Sequence, residues 1–148
     1  AAPGVRTSGI IQPAIVPLGG KRLRMFVRAT GDIGRICYAD SEDAGLTWTA
    51  PRPTSLPNPN SGIDAVALRD GRIILVYNHT AKGRSPLNVA VGGDGREWRM
   101  FATLEDESGE FSYPAVIQSA AGDVHITYTW NRRRIRHVTL PLAEIPAP

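Results

Sequence analysis

A repeated plan of short strands and tight turns is the feature that most limits what this chain can fold into. Three segments, starting near residues 9, 62 and 112, each begin with an apolar strand, turn at a Gly-containing loop and continue into a second apolar strand. The spacing is about 50 residues, and β-branched runs alternate with Gly, Pro, Asn and Asp while helical periodicity is almost absent. We therefore expect an all-β protein built from a repeating unit.

The repeat length indicates a particular architecture. Four-stranded units of about 40–50 residues are typical of β-propeller blades. We predict one blade over residues 8–57, a second over 60–106 and an incomplete, three-stranded blade over 109–142. Because propellers have about 4–8 blades, three cannot close a ring, and we expect half of a six-bladed propeller. A missing N-terminal half or a second copy in a homodimer would complete it.

Proline and glycine placement adds details of the chain path. We expect Trp48–Ala50 to open the fourth strand of the first blade and residues 51–60 to form a rigid crossover between blades. Ile145–Pro148 is expected to be a tail. The stretch Val5–Ile10 is a weak candidate for the outer strand that the third blade lacks.

One turn in the first blade has the self-contained pattern S-x-D-x-G-x-T-W. Asp43 can accept hydrogen bonds from the backbone N–H groups that follow it, and Gly45 can take the positive φ that ends such a turn. Two hydroxyl side chains can tie the flanks together, and an aromatic ring can fold back as a lid. These residues are Ser41, Thr47 and Trp48.

The second blade contains a degenerate copy of this turn. Gly92 and Gly93 stand where Ser and Asp would, although Gly95 and Trp98 keep their places. Asp94 can form a substitute turn. The turn thus recurs at the same point of two blades, between the third strand and the fourth.

This turn is the Asp-box pattern, and the chain resembles bacterial sialidase-like propellers of the neuraminidase and BNR-repeat type. The resemblance runs from about Gly9 to Leu140 and is to the C-terminal half of that fold. It is also carried by Ser61–Asp64, Gly83–Leu87 and Gly109–Pro114. It implies a glycosidase for an acidic, carboxylate-bearing sugar, in a secreted or periplasmic protein.

The resemblance also implies roles for particular residues. In that family three arginines bind the substrate carboxylate, and a tyrosine assisted by a glutamate is the nucleophile. Arg28 and Arg84 match two of the arginines, and Tyr113 matches the nucleophile. A neutral phenol approaches a carboxylate-bearing anomeric carbon with less repulsion than a carboxylate would. The assisting glutamate falls at Gln12, which is no base, so Glu110 is the local candidate.

The remaining members of the family's site are not supplied by this sequence. The third arginine and the acid/base aspartate belong to the family's N-terminal blades, so we expect the isolated chain to be nearly inactive. Asp64, at the start of an inner strand, could reach the pocket. The run 132–136 offers further cations, namely Arg132, Arg133 and Arg136.

The amino-acid composition limits the classes of partner that this chain is expected to bind. The net charge of +3 comes almost entirely from arginine, which suits bidentate carboxylate binding. Stacking aromatics are not interleaved with the basic run, so nucleic acid is not expected. No apolar stretch reaches about 18 residues, so no membrane is expected.

Cys37 is the single cysteine, and the three histidines lack metal-ligand spacing. We therefore expect no metal and no cofactor. These histidines are His79, His125 and His137.

Two other functions stay open. The first is a non-catalytic carbohydrate-binding half-propeller that assembles as a dimer. The second, weaker one is a polysaccharide lyase that uses a tyrosine or histidine as base on a uronate.

Overall fold

The computed structural model describes residues 9–30, 33–94 and 96–148. Their strands form three antiparallel sheets, each a meander in chain order. The first contains β1 (Ile10–Gly19), β2 (Arg22–Ala29), β3 (Arg35–Ser41) and β4 (Arg52–Pro57). The second contains β5 (Asp64–Ala67), β6 (Ile73–Tyr77), β7 (Leu87–Gly92) and β8 (Arg99–Glu105). The third contains β9 (Phe111–Gln118), β10 (Val124–Trp130) and β11 (Arg134–Leu140), followed by a short 3-10 helix, Leu142–Glu144.

The all-β class and the blade-like meanders predicted from the repeat are confirmed. Strand β1 contacts β5, and β5 contacts β9, so the first strands of the three blades lie side by side. This is the arrangement that places inner strands around a propeller axis. No helix among the described ranges is long and apolar enough to cross a membrane.

Two apolar layers hold the blades together. The first and second sheets pack through side chains that include Phe26, Ile36 and Leu75, each fully buried. The opposite face of the second sheet packs on the third sheet. Strands β6 and β7 are therefore buried at every position, as strands covered on both faces must be. Strand β9, covered on one face, instead alternates between buried and exposed positions over most of its length.

The Asp-box turn forms as the sequence predicts. Asp43 accepts hydrogen bonds from the Thr47 backbone N–H at 2.9 Å, the Thr47 hydroxyl at 2.6 Å and the Ser41 hydroxyl at 2.8 Å. The indole of Trp48 closes over the turn and donates to the Gly45 carbonyl at 3.0 Å. Gly45 has a φ of 90°, which an L side chain rarely adopts.

The degenerate copy in the second blade is also a turn. The Arg96 N–H donates to the Asp94 carboxylate at 2.9 Å, which is the substitute contact expected there. Gly95, the glycine of this copy, lies outside the described residues. The Asp-box is therefore a device that fixes blade corners.

A first prediction concerns acid stability. Hydrogen bonds from Thr47 and Ser41 lower the pKa of Asp43 to about 2 from an ordinary value of 3.8. Because the folded-state pKa is depressed, the stabilisation is present above pH 3.8 and is lost as the pH falls through about 2. In Asp43→Asn we expect a lower free energy of unfolding at pH 7 and a shallower decline between pH 4 and 2, measured by urea unfolding. Asp106→Asn is the matched control, and equal pH profiles for the two variants would contradict the prediction.

The outer strand of the first blade differs from expectation. Strand β4 is Arg52–Pro57, so it begins after Trp48–Ala50 and takes up most of the stretch predicted to be a crossover. Proline is tolerated because β4 is the last strand of its sheet and pairs only with β3. One side of an edge strand needs no N–H donors.

Residues 145–148, which were expected to be a tail, are docked on the second and third blades. Ile145 is 4% exposed and belongs to the core between the second and third sheets. Arg72 donates to the carbonyls of Ile145 and Pro146. The candidate outer strand Val5–Ile10 lies mainly outside the described residues, and its last residue, Ile10, begins β1.

Candidate functional site

Two matching β-bulges, one in β1 and one in β9, redirect a side chain on each of these inner strands. Gln12 in β1 and Tyr113 in β9 have positive φ values of 53° and 52°, and the pairing register shifts at both points. Each residue is followed by Pro-Ala. A bulge redirects the side chain of the extra residue, and both side chains are exposed. The first and third blades therefore present equivalent residues in the same way.

Arg28, near the end of β2, is held by neutral groups. Its Nη1 donates to the Gln12 side-chain oxygen at 2.5 Å, and its Nε donates to the Asn60 side-chain oxygen at 2.9 Å. Within the described ranges, no carboxylate forms an ion pair with Arg28. Its positive charge is therefore oriented by amide oxygens and left uncompensated, which is the condition that favours an incoming anion.

Arg84 lies in the loop before β7 and faces the third blade. Its carbonyl accepts a hydrogen bond from the Phe111 N–H at 2.9 Å, which fixes the loop against the start of β9. The guanidinium carbon is 5.1 Å from the centre of the Tyr113 ring. One nitrogen is 3.3 Å from a Glu110 oxygen. Arg84 thus joins the second blade to the tyrosine of the third.

Tyr113 is an accessible phenol in a positive environment. Its residue surface is 53% exposed. The guanidinium of Arg84, and secondarily that of Arg28, lowers the pKa of the Tyr113 hydroxyl below its ordinary 10. Positive charge favours the phenolate, so the arrangement makes this hydroxyl a better proton donor and, once ionised, an accessible nucleophile.

The Glu110 carboxylate is hydrogen-bonded to two arginine side chains. Both of its oxygens lie 3.0 Å from Nε of Arg132, and one also lies 3.3 Å from Arg84. The Ser112 hydroxyl is a more distant donor at 3.5 Å. This carboxylate therefore holds two guanidinium groups in place beside Tyr113.

Asp64 has a different environment. Its Oδ2 accepts a hydrogen bond from the Val116 N–H at 2.7 Å, so it joins β5 to β9. Burial raises the pKa of this carboxyl. Among the described residues, no contact links Asp64 to Arg28, Arg84 or Tyr113.

Four of the six predicted site residues form one cluster, in which Arg28, Arg84 and Glu110 lie around Tyr113. Gln12 contacts the cluster through Arg28. Two further residues shape the site without having been singled out. Asn60, with a φ of 63°, orients Arg28. At Gly62 a Cβ atom would lie 3.1 Å from the Tyr113 ring, so glycine leaves space for that ring. The sequence signal for both is the Asn-Ser-Gly stretch before β5.

The BNR repeat-like domain model matches residues 2–126. No curated protein matches the chain significantly. Among solved structures, a mutant of the NanB sialidase from Streptococcus pneumoniae is 17% identical with a TM-score of 0.73, covering 89% of this chain and 23% of that one. The intramolecular trans-sialidase from Ruminococcus gnavus, in complex with oseltamivir carboxylate, is 16% identical with a TM-score of 0.74, covering 92% and 33%.

A third solved structure, described as a sialidase, is 25% identical with a TM-score of 0.74 and covers 91% of this chain. The chain spans 14% of that protein, 23% of the pneumococcal one and 33% of the Ruminococcus one. These likenesses establish the sialidase-type β-propeller fold, with about three of its blades in this chain.

Proposed function

Because the chain belongs to the BNR repeat-like domain family, we propose that it forms the carboxylate-binding and tyrosine-bearing part of a sialidase-like glycosidase. The substrate is an acidic sugar. Arg28 and Arg84 bind its carboxylate, and Tyr113 faces the anomeric carbon. The observation that carries this proposal is an exposed phenol beside two guanidinium groups, one of which has no described carboxylate partner.

The two arginines have distinct tasks in this proposal. Arg28 is oriented by Gln12 and Asn60, so a substrate carboxylate meets a guanidinium whose direction is already set. Such preorganisation reduces the entropy cost of binding. Arg84 contacts the Tyr113 ring and lowers the pKa of its hydroxyl, which favours the phenolate.

The phenol proton needs an acceptor in this mechanism. Glu110 is the local acceptor that we propose, and it is three residues from Tyr113 in the chain. Its Oε1 receives both arginines, whereas its Oε2 receives Arg132 alone, so Oε2 has the lone pair that would take the phenol proton. A general acid for the leaving group would come from additional blades.

The test uses a substrate that needs no general acid. A 4-methylumbelliferyl sialoside has an aryl leaving group, which departs readily without protonation. We expect slow hydrolysis by the wild-type chain and a loss of at least about 100-fold in Tyr113→Phe, while affinity for free sialic acid changes by less than about twofold. Tyr38→Phe, in the first blade away from this cluster, is the matched control. Equal rates for the wild type and Tyr113→Phe would refute the nucleophile assignment.

A non-catalytic, carbohydrate-binding assembly is the second candidate function. It is favoured by Gln12 at the position of the assisting base and by apolar side chains on the outward faces of the end blades. These include Ile15, 51% exposed, in the first blade, and Ile117 and Ile135, 61% and 67% exposed, in the third. It predicts saturable sialic acid binding without turnover, and a solution mass twice that of the chain.

A further inference from the structure

The tip of the β10–β11 hairpin has an unusual turn. The Arg133 N–H donates to the Trp130 carbonyl at 3.0 Å, and the two central residues, Asn131 and Arg132, have φ values of 49° and 53°. This is the type I′ geometry, which favours Asn-Gly because both residues need positive φ. Arginine at the second position is strained where glycine would not be, and such strain clusters at functional sites.

The tip is fixed to the loop that leads into Tyr113. The Asn131 N–H donates to the Glu110 carbonyl at 2.7 Å, and the Glu110 N–H donates to the Asn131 side-chain oxygen at 2.7 Å. Arg132 adds its Nε contact to both Glu110 carboxylate oxygens. The cations of the tip therefore keep a defined position relative to the candidate site.

Positive charge at this end of the molecule exceeds what one sugar carboxylate would neutralise. Arg84 and Arg132 share a single carboxylate, that of Glu110. Arg28 has amide partners, and neither Arg133 nor Arg134 forms an ion pair with a described residue. Arg136, on the same hairpin, differs because it is paired with Glu105.

Arg134 is held by stacking. Its guanidinium carbon is 4.3 Å from the centre of the Trp130 ring. Stacking of this kind leaves the edge of the guanidinium available for a carboxylate. A fixed turn and a stacked cation together make the tip a preorganised receptor for a second anion.

We propose that this tip, through Arg133 and Arg134, is a second anion subsite, and that the glycan bound here carries carboxylates on neighbouring sugar residues. The inference rests on the proposed function, since Arg28, Arg84 and Tyr113 bind the first acidic sugar. The tip then selects oligomeric acidic glycans over a single terminal acidic residue.

The experiment compares sialic acid with its α2,8-linked trimer by calorimetry at several salt concentrations. We expect the trimer to bind the wild-type chain about tenfold more tightly and to show the steeper loss of affinity with salt. In Arg133→Gln/Arg134→Gln the advantage of the trimer is expected to disappear, while the affinity for the monomer stays within about twofold. Arg133→Gln alone is a second variant that leaves the Trp130 stack intact, and it is expected to lose part of the advantage.

A double variant elsewhere provides the charge-matched control. Arg22→Gln/Arg96→Gln removes the same charge from residues that line a cleft between the first and second blades, and it should leave the trimer's advantage unchanged. Equal affinities for trimer and monomer in the wild type, or equal losses in both double variants, would overturn the subsite while leaving the proposed function intact. Monomer affinity that is undetectable, or insensitive to loss of Arg84, would overturn the proposed function instead.

Discussion

Replacing Arg84 with methionine is expected to weaken the binding of a carboxylate-bearing sugar by about 30- to 150-fold. A hydrogen bond to a charged group contributes about 1.5–3 kcal/mol, and the upper part of this range corresponds to that change in affinity. Methionine keeps an unbranched side chain but removes the charge and the donors. The affinity is measured by calorimetry with sialic acid.

The same variant has a readout that does not depend on any ligand. Since the Arg84 guanidinium is the largest cause of the lowered Tyr113 pKa, we expect that pKa to rise towards 10 in Arg84→Met. The ultraviolet absorbance of tyrosinate reports this change, and Tyr113→Phe identifies which signal belongs to Tyr113.

The loss of affinity in Arg84→Met should not come from leaving the Glu110 carboxylate without a partner. Glu110 would keep its contact with Arg132, and its side chain is 31% exposed. Arg35→Met is the matched control, because Arg35 is hydrogen-bonded to the Ser55 carbonyl in the first blade. Wild-type affinity and an unchanged tyrosinate titration in Arg84→Met would remove Arg84 from the site.

Much of the fold was predictable because it is repetitive. Alternating apolar residues specify which face of a strand is buried, and β10 alternates between buried and half-buried positions over most of its length, as that pattern requires. Repetition also brings corresponding strand ends to the same edge. Arg28, Arg84 and Tyr113, one from each blade, therefore meet although they are far apart in the sequence.

The details that escaped prediction depend on long-range contacts. The positive φ values of Gln12 and Arg132 could not be predicted from residue type, since neither residue prefers that conformation. Asp64 is engaged by the Val116 backbone of another blade. Ile145 packs into the core between the second and third sheets, and the sequence around it contains no periodic pattern to indicate this.

The largest expected effect on stability belongs to Arg24, which is 2% exposed. Its guanidinium donates to both Asp40 oxygens, at 2.6 and 2.8 Å, and lies 4.7 Å from the centre of the Tyr38 ring. Removing one partner of a buried ion pair costs about 3–5 kcal/mol. Because the Asp40 side chain retains 20% exposure, we expect Arg24→Met to lower the free energy of unfolding by about 3 kcal/mol, measured with urea at pH 7.

A double variant distinguishes the contribution of charge to the free energy of unfolding from that of packing. If the cost comes from the unpaired carboxylate, Arg24→Met/Asp40→Leu should recover most of the lost stability, because apolar residues often replace buried ion pairs without loss. The pH dependence gives a second criterion. Arg24 lowers the pKa of Asp40, so the stabilisation that this pair provides to the wild type is lost as the pH falls, and Arg24→Met should decline less steeply on acidification.

Arg24 also connects the first two blades. A third guanidinium contact reaches the Asp94 carbonyl in the degenerate Asp-box turn of the second blade. A double variant as unstable as Arg24→Met would show that this inter-blade contact or the packing of the Arg24 stem dominates, and not the ion pair. Recovery would show that the blades cohere mainly through the apolar layer around Phe26 and Leu75, with Arg24 needed chiefly to neutralise Asp40.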